Sequence, residues 1–288
     1  MTLLFNIIFD GLALGMLLFI ITVGLSVTMG VMNFVNLAHG AFAMGGGYGL
    51  VLLIGQGVGF FPAIALIAVA FFAVGAVLET ALFRHFYRAG PLVQVLMTIG
   101  IVYMSIAAVT YVFGPLSAGI TIPEYLRGRM QIGPFGFPVY RAMIIVFGTA
   151  LALILWVVLE HTMVGAQVRA AVSNRTMAEN IGINVPALFS VLFGIGAALA
   201  AVGGALSIEV VGLTPSYALT FLVLVLLIVI IGGMGSIRGT LAAALVVGVL
   251  DNAGKFLMPH SGAFLIYFMA FAILLWRPRG LIPGAAHE

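Results

Sequence analysis

The chain contains no cysteine, which excludes a disulfide framework, thiolate metal sites and a cysteine nucleophile. It has almost as little charge. Eleven Lys and Arg and eight Asp and Glu are spread over 288 residues, 7% of the chain, against roughly 25% in ordinary globular proteins. With 64% hydrophobic residues, no segment has the surface of a soluble catalytic domain, so the reading is an integral membrane protein. No run of Lys and Arg occurs, and the net charge of +3 reads as loop bias rather than a nucleic-acid patch. The N-terminus lacks the positive region of a signal peptide and runs directly into an apolar stretch, expected to be a retained first helix.

What the chain does have is long apolar runs. A helix crosses the hydrocarbon core in about 20 residues, and runs of that kind predict spans at residues 3–29, 37–54, 60–83, 92–113, 142–159, 186–210, 217–231, 240–257 and 263–276. The expectation is an all-α polytopic membrane protein of eight to nine transmembrane helices, a single domain over residues 1–288. Merging the last short spans into a hairpin gives eight. Gly59 to Pro62, Gly90-Pro91, Gly114-Pro115, Pro186, Pro215 and Pro259 stand at the boundaries, where Pro and Gly start or stop helices.

Two polar segments are long. Residues 114–141 read as a loop punctuated by Pro115, Pro123, Pro134 and Pro138, with one short helix. Residues 160–185 carry a surface helix over 165–181, with Ala166, Arg169, Ala170, Ser173 and Met177 along one side and only a weak apolar stripe. Placing Arg84, Arg88, Arg169, Arg175, Arg238, Arg277 and Arg279 inside leaves Arg127, Arg129, Arg141 and Lys255 outside, which puts the surface helix in the cytoplasm.

Two interruptions gather glycines and small polar residues between apolar runs, at residues 30–40 and 232–239. Unwound backbone at membrane depth survives only inside protein or facing a water-filled cavity, which makes such breaks candidates for a solute path or a hinge. Tight turns between antiparallel helices explain them equally well. Asn33, Asn36 and His39 form the most polar cluster near a span, although a lone His at a helix start is more often a hydrogen-bonded structural residue than a proton carrier.

Asp251 and Lys255 stand four apart, the spacing of a local ion pair. Glu79 and Glu209 are expected at solvated helix ends. The spacings Gly11-x-x-x-Gly15 and Gly45-x-x-x-Gly49 and the run Gly203-Gly204-Ala205 let helices approach closely, within one chain or between two.

Other signals fail. Residues 248–256 resemble a phosphate loop but are one residue too long, with Phe256 in place of the magnesium-binding Ser or Thr. Glu160-His161 is not the H-E-x-x-H zinc helix, and no nucleophile elbow occurs. Asn174-Arg-Thr176 is a formal glycosylation sequon on the segment placed in the cytoplasm. No metal site or nucleotide site is expected, and no enzyme.

Four segments carry a resemblance: NFVNLAHGAF at 33–42, VRAAVSNRTMAENIGIN at 168–184, AAVGGA at 200–205 and IGGMGSIRG at 231–239. Together, and in this order, they resemble the branched-chain amino-acid ABC importer permeases, the H-type subunit. The resemblance implies a multi-pass subunit of the bacterial inner membrane. Its implied partners are a second, related permease, usually a different chain, two ATP-binding cassette ATPase subunits and a periplasmic substrate-binding protein. No cofactor is implied for this chain, because ATP and Mg are bound by the partner ATPases. Residues 169–183 correspond to the coupling helix that docks on the ATPase, with Arg169, Asn174, Arg175, Glu179 and Gly182 as contacts. Asn33, Asn36, His39, Gly40, Gly232, Gly233, Gly235 and Ser236 become candidates for translocation pathway or hinge, and the implied mechanism is alternating access. Glu124, Arg127 and Arg129 on the outer loop are candidates for docking the binding protein. Members of the family serve branched-chain amino acids and also urea, amides and small aromatic or organic acids. The competing reading is a gradient-driven secondary transporter in which His39 and Asp251 relay protons.

Overall fold

The computed structural model describes residues 2–132, 135–258, 262–277 and 280–282; Pro134, Pro259 and Arg279 lie outside them. In chain order the helices are α1 (Thr2–Met32), α2 (His39–Gly55), α3 (Phe60–Ala81), α4 (Pro91–Phe113), α5 (Glu124–Arg127), α6 (Val139–His161), α7 (Met163–Ser173), α8 (Arg175–Asn180), α9 (Val185–Val211), α10 (Tyr217–Gly232), α11 (Ile237–Leu257) and α12 (Gly262–Trp276). A short 3-10 turn covers Phe83–Phe86, and a hairpin pairs β1 (Arg129–Ile132) with β2 (Phe135–Pro138).

Each apolar run is a helix. By length and composition α1, α3, α4, α6, α9 and α11 can cross a membrane, while α2, α10 and α12 are shorter. The shortness of α2 has a visible cause. His39, its first residue, bonds to the Ile21 carbonyl, about three turns or ~16 Å of helix before the end of α1. The chain therefore turns back into the bundle before α2 begins.

Helix α1 is the centre, packed against α9 and α11 with most of its length buried. In lipid, helices associate through close packing of small residues rather than through burial of apolar surface from water. The contacts follow that rule. A Cβ on Gly248 of α11 would stand 2.3 Å from the Gly15 nitrogen, and one on Gly204 of α9 would stand 1.9 Å from the Ala43 oxygen of α2. The small-residue spacings in the sequence are thus used inside the chain: Gly11 and Gly15 face α11, Gly203 faces α1, and Gly45 and Gly49 face α3.

The two ends of the bundle separate the cations as the charge pattern requires. At one end Arg84 reaches the start of α9, Arg175 stacks on Phe189, and Arg238 pairs with Glu160. At the other, Arg141 pairs with Asp10, and Lys255 pairs with Asp251 at 2.5 Å.

Four expectations need correction. Helix α1 continues to Met32 rather than stopping at 29. The surface helix expected over 165–181 is two helices broken at Asn174, whose extended backbone (φ −154°) and side chain start α8 afresh by accepting from the Met177 amide at 2.9 Å. Residues 114–141 hold a hairpin as well as a helical turn; Phe137 of β2 packs on Phe5 and Phe9 of α1. Glu79 is not solvated. It is fully buried, because Arg84, Tyr87 and Ser190 close over both carboxylate oxygens. Glu209, by contrast, is exposed as expected.

Candidate functional site

The surface segment α7–α8 joins the end of α6 to the start of α9. Val168, Ala171 and Ala178 turn inward and anchor it. Gly165 lies against α6, where a Cβ would stand 2.0 Å from the Leu159 oxygen, and Arg169 donates to that same carbonyl. Arg175 donates to Glu179 at 3.0 Å, and its guanidinium lies 5.5 Å from the Phe189 ring centroid. Gly182 takes a positive φ of 91° just past α8, where its amide reaches the Glu179 oxygen and the Ile183 amide reaches the Ala178 oxygen. This is the glycine-ended close that its place in the sequence predicts.

Arg169, Arg175 and Glu179 thus already have partners in this chain. Among the mainly polar side chains that the segment leaves exposed stand large apolar ones: Met163 is 77% exposed, Ile181 69% and Met177 62%. Met163 and Ile181 were not among the residues singled out from sequence. The signal was present, since apolar side chains on a polar segment outside the apolar runs need a protein surface to cover them.

The two glycine-rich breaks meet at the same end of the bundle. A Cβ on Gly30 would stand 2.3 Å from the Gly235 Cα, the Gly235 amide donates to the Ser26 carbonyl at 3.0 Å, and the Thr240 hydroxyl lies 2.8 Å from the Ser26 hydroxyl. Gly233 and Gly235 adopt φ of 97° and 78°, a region that side chains disfavour. Ser236 caps α11 by accepting from the Gly239 amide at 3.1 Å. Gly232 is packed so closely on Gly239 that a Cβ there would stand 2.7 Å from its carbonyl carbon.

In the first break Asn33 takes a positive φ of 48° and ends α1. Asn36 accepts from the Ala38 amide at 3.0 Å, closing the turn into α2. His39 is 2% exposed, and its Nε2 lies 2.7 Å from the Ile21 oxygen. A carbonyl only accepts, so Nε2 carries the proton and the ring is held as a donor. Gly40 abuts the first turn of α10, where a Cβ would stand 2.4 Å from the Ala218 oxygen. Gln94 of α4 is a further residue that was not singled out from sequence. It accepts from the Val35 amide at 3.1 Å and donates to the Phe86 and Ala89 carbonyls at 3.2 and 3.1 Å, which fastens the break to the turn before α4.

A polar cluster sits beside the first break. Arg84 reaches Glu79 Oε2 at 3.0 Å and Ser190 Oγ at 2.8 Å; Tyr87 donates to Glu79 Oε1 at 2.9 Å, and Ser190 donates to Oε2 at 2.5 Å. The hydrogen bond to Glu79 raises the pKa of Arg84, and burial followed by the nearby carboxylate pushes the Tyr87 hydroxyl well above its ordinary value. Both stay protonated donors across the physiological range. Among the described residues no group of three or more His, Asp or Glu side chains is arranged to hold a metal ion.

Residues 7–275 match the family model described as branched-chain amino acid transport system, permease component. The chain is 25% identical to the high-affinity branched-chain amino acid transport system permease protein LivH of Salmonella typhimurium, over 95% of this chain and 94% of the relative. It is also 25% identical to the permease protein BraD of Pseudomonas aeruginosa, with the same coverage. The ribose import permease RbsC of Escherichia coli is 31% identical over 64% of this chain and 59% of its own length. No solved structure matches the chain significantly.

Proposed function

We propose, since the chain belongs to the family of branched-chain amino acid transport permease components, that it is one membrane subunit of an ATP-driven importer for branched-chain or related apolar amino acids. A second, related permease completes the path, two ATPase subunits supply the energy, and a periplasmic binding protein delivers the solute. The membrane is the bacterial inner membrane. The nine apolar helices among the described residues then cross it eight or nine times, with α7–α8 on the cytoplasmic side.

One observation supports this reading above the others: α7–α8 is anchored by Val168, Ala171 and Ala178 yet presents Met163, Met177 and Ile181 outward. A segment of that kind suits a groove on an ATPase. Movement of α7–α8 would then reach the paired breaks at Gly30–Gly40 and Gly232–Gly239, which act as hinges for alternating access. His39 and Asp251 each already have a partner, the Ile21 carbonyl and Lys255, and this disfavours the rival proton relay.

The test is purification of the tagged chain from native membranes, wild type and with Met177→Glu and Ile181→Glu combined. ATPase subunits should accompany the wild type and be lost from the variant, while both run at the same size in detergent. Wild-type chain that emerges without any ATPase would refute the reading.

A further inference from the structure

The cluster around Glu79 belongs to neither the exposed face of α7–α8 nor the glycine contacts, yet it touches the path between them. Glu79 is fully buried while its partner Arg84 is 39% exposed, and burying a carboxylate is costly unless it is paired and hydrogen-bonded, so its presence calls for a positional explanation. The carboxylate is shared by three separate parts of the chain: Arg84 on the 3-10 turn, Tyr87 in the link before α4, and Ser190 on α9. Tyr87 is the centre of a ring chain. Its ring meets Phe189 of α9 at 6.1 Å and Phe34 of the first break at 5.5 Å, both edge-on. Phe189 in turn carries the Arg175 guanidinium of α8. The Tyr87 hydroxyl also lies 3.5 Å from the Met32 sulfur at the end of α1. Contacts therefore run without a gap from α8 through Phe189 and Tyr87 to Phe34, and Glu79 fixes the middle.

We propose that Glu79 is a positioning residue for coupling: it holds Tyr87 so that displacement of α8 is passed to the Asn33–Ala38 break instead of being absorbed by side-chain movement. This rests on α7–α8 being the segment that an ATPase moves. Coupling between distant sites requires packed elements with discrete arrangements, and a carboxylate bonded to three elements resists the intermediate positions. Removing the charge leaves the ring contacts in place but exchanges charge-assisted bonds from Arg84, Tyr87 and Ser190 for weaker neutral ones, which loosens the hold on Tyr87.

The experiment uses the complete assembly purified through a tag on this chain and reconstituted in liposomes with its loaded binding protein. The quantity read is radiolabelled leucine taken up per ATP hydrolysed. Glu79→Gln is expected to lower that ratio by about tenfold while ATP hydrolysis and subunit stoichiometry hold, within the range by which network residues shift coupling. Tyr87→Phe, which removes one oxygen, is expected to lower it by about threefold, and Glu79→Asp to restore part of the loss. Uptake and hydrolysis falling in parallel, or an unchanged ratio, would overturn the proposal; if Glu79→Gln does not assemble, Tyr87→Phe decides alone. Wild-type liposomes that show no ATP-driven leucine uptake would instead sink the importer reading on which the proposal stands.

Discussion

Gly30 and Gly235, residues from two breaks far apart in the chain, meet backbone to backbone, so close that a Cβ on Gly30 would stand 2.3 Å from the Gly235 Cα. The contact joins the end of α1 to the turn between α10 and α11. It gives the second break its neighbour: where the chain unwinds between α10 and α11, the last turn of α1 packs against it.

Gly30→Ala is therefore expected to cost about 1–3 kcal/mol, the usual range for overpacking a tight contact. Gly90→Ala, where a Cβ would meet nothing within 4 Å and φ is −63°, serves as the control and should be neutral. Thermal unfolding of the detergent-solubilised chain, followed by size-exclusion chromatography, distinguishes them. Equal midpoints for the two variants would mean that the Gly30–Gly235 approach is not needed.

His39→Gln keeps a donor at the position of Nε2, whereas His39→Leu removes it. Uptake should survive in the first and fall in the second, because the bond to Ile21 is what places the start of α2. A net hydrogen bond is worth about 1 kcal/mol, so the Leu variant should also unfold a few degrees earlier. Abolished transport in His39→Gln would point to proton transfer through the imidazole instead.

Much of this architecture was legible in the sequence, and the rest was not for identifiable reasons. The nine apolar helices among the described residues follow from run length, because lipid offers the backbone no other partner and leaves helix as the sole single-segment answer. The division of cations between the two ends was likewise readable. Glu79 was misread because a carboxylate one turn from Arg84 and His85 looks like a wetted helix end; its partner Ser190 is 111 residues away. Gln94 is one polar residue in an apolar helix, and nothing local to it shows that Val35, 59 residues away, will be its partner. The break at Asn174 was written in the residue type, but Asn inside a polar segment fits a helix surface and a cap equally well. The positions of Gly30 and Gly235 were visible, and their meeting depends on how α1, α10 and α11 pack.

Gln94→Leu would leave the Val35 amide and the Ala89 carbonyl without their present partner, while the Phe86 carbonyl keeps the Ala89 amide. A fully buried group left unsatisfied costs about 1–3 kcal/mol, and these half-buried ones cost less. The expected result is faster amide hydrogen exchange confined to residues 33–38 and 86–89. Wild-type exchange in both segments would show that the staple is dispensable.

Asp251→Asn breaks an ion pair whose lysine is 66% exposed, and such pairs contribute between nothing and about 1 kcal/mol. Stability and uptake should both stay close to wild type. A collapse of uptake with stability intact would revive the gradient-driven reading.

The most direct measurement reconstitutes this chain with its second permease and ATPase subunits in liposomes, supplies leucine on the loaded binding protein, and compares ATP with an imposed proton or sodium gradient as the energy source. The account predicts uptake that requires ATP on the side of α7–α8 and persists when the gradients are collapsed. Uptake by this chain alone, driven by a gradient and indifferent to ATP, would contradict it.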